Sequence, residues 1–223
     1  MIDPLTWRPM LTEQRRRAAD IRDPILEPSW GGLRALAHFD GARTAEDGGP
    51  WLRLFDTDGL DATAEQPAAV AELATAVMAE DAVIDGYLSD QATRPGEGVG
   101  MVGEVTVPRF PLLRGKGVDI DVRALPDPRA TREFAFVAID LLRLDGQSLL
   151  DLPLLERKRL LDAVVTQGPL VRVSPYTRPP LQSWLQSWKS AGFAGAVLKA
   201  ANSRYVPNSV TREWTVVTKL GAR

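Results

Sequence analysis

The sequence predicts an α+β fold of two largely antiparallel sheets with flanking helices. Two observations carry this. Short apolar or alternating segments outnumber helical ones, and no regular strand–helix–strand rhythm joins them into a parallel, doubly wound sheet. With 223 residues, 44% hydrophobic and 25% charged, the chain can also bury a sizeable core without staples.

The elements follow in order. Residues 12–22 read as a short helix. Residues 33–39 and 51–55 read as strands around the glycine-rich turn "ARTAEDGGP". "QPAAVAELATAVMAE" reads as a helix with Pro67 in its first turn and Val70, Leu73, Ala74 and Val77 on one face. "DAVIDGYL" is a strand. Residues 91–131 are rich in glycine and proline and form an irregular insertion, with a strand near "VGEVTVPRF". Residues 134–142 are apolar on both faces, hence a buried strand, and Asp145-Gly146 is a turn. Asp151 is placed to cap a helix with Pro153 in its first turn and an apolar face of Leu154, Leu161, Val164 and Val165. "LVRVSPY" is a strand. In "PPLQSWLQSWKSAGF", Leu181, Trp184, Leu185 and Trp188 make a helical stripe that Gly192 ends; such spacing favours a core role over base stacking. "GAVLKA" and "REWTVVTKL" are closing strands.

Composition removes whole classes of chemistry. There is no cysteine, so disulfides, thiolate zinc sites and thiol catalysis are excluded. A single histidine, His38, rules out a multi-histidine metal site and gives no functional signal on its strand. No apolar run reaches the roughly 18 residues of a membrane span, and no signal peptide is visible. The expectation is a cytoplasmic protein with no membrane partner. The net charge of −2 does not advertise nucleic acid, and Arg15, Arg16 and Arg17 read as solvated charge before they read as phosphate contacts.

Six segments in order resemble the adenylation (nucleotidyltransferase) domain of ATP-dependent DNA ligases, from about Pro24 to Lys219. "LEPSWGGLRALAHFDG" is similar to the family's E-x-K-x-D-G-x-R motif. "LRLFDTDGL" with its helix, "VIDGYL", "FVAIDLLRLDGQSLLDLPLLERKRLL", "GFAGAVLKAANSRYVPN" and "REWTVVTK" resemble the motifs that follow. The resemblance implies an adenylation-domain (ATP-grasp-like) fold with a central cleft between the sheets. It implies a lysine that attacks the α-phosphate of ATP, and a metal held by carboxylates. At those positions this chain departs from the pattern. Ser29 stands at the nucleophilic lysine, Gly31 at the aspartate, Thr57 at the ribose arginine, Tyr87 and Ala194 at metal-directed glutamates, Ile139 at the stacking aromatic, and Val216 and Thr218 at paired lysines. Glu27, Arg34, Asp85, Asp140 and Lys199 remain.

The losses fall on reactive groups while strand and turn positions persist. The expectation is therefore a catalytically inactive ligase-like module, one domain over residues 1–223 without the family's OB-fold domain. It takes no catalytic residue from Ser29, no metal and no cofactor, and its partner is DNA or a DNA-repair protein. ATP and Mg2+ enter if the family activity is retained, either with Lys116 as a relocated nucleophile or with the chain as an ATP sensor. The cleft candidates are Glu27, Arg34, Asp85, Tyr87, Ile139, Ala194 and Lys199. From residues alone, Glu27 and Arg34 pair across a strand, and Asp85 and Asp140 bond local backbone in turns.

Overall fold

The structure, a computed structural model, describes residues 3–13, 21–45, 48–92, 101–102, 105–106, 134–178 and 181–218. Its strands are β1 (Leu11–Thr12), β2 (Pro24–Pro28), β3 (Leu33–Thr44), β4 (Pro50–Asp56), β5 (Asp81–Ser89), β6 (Met101–Val102), β7 (Val105–Thr106), β8 (Ala135–Leu144), β9 (Gln147–Ser148), β10 (Val171–Val173), β11 (Ala196–Ala200), β12 (Val210–Thr211) and β13 (Trp214–Val217). Three helices accompany them: α1 (Pro67–Ala76), α2 (Leu154–Val164) and α3 (Leu181–Ser190).

The fold is α+β. The large sheet runs β10-β8-β5-β3-β4, with β9 on β8, and the small sheet runs β13-β11-β2. Every pair within them is antiparallel except β10 beside β8. Strand β8, the "FVAIDLL" segment, is interior. Alternation on β3 decides what each face of the large sheet meets. Ala35, Ala37 and Phe39 pack with Leu73 of α1, whereas Leu36 packs on the other side with Trp7, Met10 and Trp214. The small sheet covers part of that second side. Its own far face carries Leu26, Leu198 and Val217 against Leu185 and Trp188 of α3, so the tryptophan stripe is core.

Some local expectations change. Helix α1 stops at Ala76, because Val77 turns extended and bridges Val165. Asp151 does not cap α2; Pro153 holds the N-cap, and Asp151 instead pairs with Arg204 at 3.0 Å. Thr12, expected to start a helix, instead lies with Leu11 in a strand parallel to β12. Residues 14–20, most of 91–131 and Lys219 lie outside the described residues, so the arginine run and Lys116 do too, while β6 and β7 pair within the segment expected to hold a strand near "VGEVTVPRF".

Two features of β5 and β8 position the site. A Cβ on Gly86 would sit 2.4 Å from the Phe136 ring and 2.6 Å from the Val137 carbonyl oxygen, so only glycine lets these strands pair there. One step on, Gly86 faces Ala138 but Asp85 faces Asp140, which leaves Ile139 as the extra residue of a bulge. Asp85 and Asp140 are both fully buried and directly opposed, an arrangement of like charges that needs separate cations. Asp140 receives a fork from Arg157, at 2.8 Å to each oxygen. Arg157 also donates to the carbonyls of Leu152 and Ser203. Both aspartates thus bond arginines within strands rather than lying in turns, while Asp140 also accepts the local Leu141 amide at 2.9 Å, as expected of a bond to local backbone. Arg157→Met should leave Asp140 buried and uncompensated and cost about 3–5 kcal/mol. Urea unfolding followed by tryptophan fluorescence measures it, and a loss below about 1 kcal/mol would contradict this role for the pair.

Candidate functional site

The cleft between the two sheets is built from strand parity. On β2, Ile25 and Glu27 face it. On β11, Val197 sits opposite Glu27, and Lys199 opposite both Ile25 and Trp214. From the large sheet come Arg34, Tyr87 and Ile139. Thr12, Pro28, Ser29, Trp30 and Val216 complete the lining. The space they enclose is about 40 Å³.

Ion pairs fill it. Glu27, 1% exposed, meets Lys158 of α2 at 2.9 Å and Lys199 at 3.0 Å, one lysine on each carboxylate oxygen. The Ser174 hydroxyl donates to Glu27 Oε2 at 3.2 Å and accepts from the Trp30 indole at 2.9 Å. Lys158 also donates to the carbonyl of the bulged Ile139 at 3.0 Å. The Lys199 ammonium lies 4.2 Å from the centre of the Trp214 ring, a cation–π contact. Alongside, Arg34 forks onto Asp85 at 3.0 and 2.7 Å and reaches the Tyr87 hydroxyl at 3.3 Å. Tyr205 donates to Asp85 at 2.7 Å.

These contacts set the protonation states. Burial pushes the Glu27 carboxyl up, but Lys158 and Lys199 outweigh it and hold it below the usual value. Burial pulls the Lys199 amine down to about 8, helped by Lys158 and opposed by Glu27. Burial works against the Arg34 charge, yet Asp85 dominates and keeps it firmly protonated.

The structure brings Glu27, Ser29, Arg34, Tyr87, Ile139 and Lys199 to one cleft. Asp85 stands behind Arg34, off the lining. Ala194 is exposed on the turn before β11 and does not join them. Glu27 and Arg34 do not pair with each other, because each has a closer buried partner on another element. The residues that sequence reasoning missed are Lys158, Arg157 and Ser174. A signal for the first two existed: Leu154, Arg157, Lys158 and Leu161 follow the i, i+3, i+4, i+7 spacing of a buried helix face, and all four are buried.

Two facing sheets with a basic, aromatic cleft between them define an adenylation-domain fold. The family described as ATP dependent DNA ligase domain matches residues 9–217, and the chain belongs to it. DNA ligase of Cenarchaeum symbiosum is 28% identical over 212 residues, covering 93% of this chain and 33% of that protein. DNA ligase B of Mycobacterium tuberculosis is 28% identical over 212 residues, covering 94% and 38%. The multifunctional non-homologous end joining DNA repair protein LigD of the same species is 28% identical over 188 residues, covering 84% and 20%. The chain thus spans at most 38% of the length of these relatives. Among solved structures, mycobacterial DNA ligase D complexed with ATP and MES superposes with a TM-score of 0.63 at 23% identity, over 96% of this chain and 61% of that one. A Lig E DNA ligase superposes at 0.51 and 17% identity, over 98% and 70%. At these identities the structures establish the fold.

Lys199 offers a direct check of the electrostatics. Its amine should titrate near pH 8, read by side-chain nitrogen NMR. An unfolded lysine titrates near 10.5, so unfolding takes up a proton between those values. The amine's contribution to stability is therefore lowest below about pH 8 and grows as pH rises toward 10.5. Glu27→Gln should shift the Lys199 midpoint further down and cost about 3–5 kcal/mol, because two buried ammonium groups lose their counter-charge.

Proposed function

We propose that this chain is a single ligase-fold domain that does not adenylate itself and acts in the cytoplasm as a binding module for DNA or a DNA-repair protein. The observation that carries the reading is Glu27. Its carboxylate pairs with Lys199 in the cleft and with Lys158 behind it, and the space left is about 40 Å³. Sites for drug-sized ligands occupy roughly 300–1,000 Å³.

The fit to ATP and magnesium fails on the same contacts. Ser29 offers a hydroxyl where the chemistry needs an amine. Lys199, the cation best placed for a phosphate, is held by Glu27. Glu27, Asp85 and Asp140 are each committed to lysine or arginine, and no group of three histidine, aspartate or glutamate side chains among the described residues is arranged to hold a metal ion. An end-joining repair protein and a DNA ligase among the relatives support a setting at DNA ends.

One observation favours a second reading. The Lys199 amine, drawn down to about 8, lines the same cleft as Ser29. An active transferase would form a P–N bond from such an amine to the α-phosphate as pyrophosphate leaves. Intact mass spectrometry after incubation with ATP and Mg2+ separates the two. The first reading expects no gain of one AMP, and none in Ser29→Lys, where one lysine would join a cleft still lacking free phosphate cations. An adduct lost in Lys199→Met would establish the second reading, and one lost in Lys116→Ala would place the nucleophile in the 91–131 segment.

A further inference from the structure

We draw no further inference here: the strongest candidate, the exposed apolar patch that Leu11 and Val210 form side by side on the paired strands β1 and β12, carries nothing because nothing in the structure shows what covers it.

Discussion

Glu27 ties three layers of this molecule together at one buried point. It stands on the small sheet, meets Lys199 on the next strand but at a diagonal, and draws Lys158 down from α2. Lys158 reaches on to the large sheet through the carbonyl that the Ile139 bulge frees. A buried ion pair adds little net stability, since desolvation offsets most of the attraction, but losing one partner is expensive. The cluster therefore fixes how the sheets and helix meet more than it strengthens their association. Arg34–Asp85 and Arg157–Asp140 extend the same layer, so four buried cations answer three buried carboxylates across the cleft wall.

That balance bears on function. A phosphate-binding cleft works by leaving cations under-neutralised until the ligand arrives. Here the Glu27 carboxylate lies between Lys158 and Lys199, and the proposed reading rests on its holding that place against an anion. The fold of an ATP-dependent DNA ligase domain rests on strands, turn glycines and helix faces held by apolar packing.

The sequence made the scaffold readable where one physical signal dominates. Alternation placed β3 and β4, an unbroken apolar run placed β8, and Gly192, at a φ of +92°, ended α3 where glycine was expected to end it. Signals that depend on distant partners were not readable. The parallel placement of β10, the early end of α1 at the Val77–Val165 bridge and the freeing of Asp151 from a cap all follow from tertiary contacts. The charge pairings were hidden for the same reason: Glu27 and Arg34 lie near each other in sequence, but the bulge and helix α2 give each a better buried partner. Lys158 was legible in principle, as a basic residue on an apolar helical stripe.

Isothermal titration calorimetry of the purified chain with ATP, with and without Mg2+, tests most directly whether the cleft is filled by its own side chains. A cleft occupied by its own ion pairs predicts no saturable heat in either condition. Saturable binding in the micromolar range that disappears in Lys199→Met would show that Glu27 yields its lysines to a nucleotide, and would contradict the account.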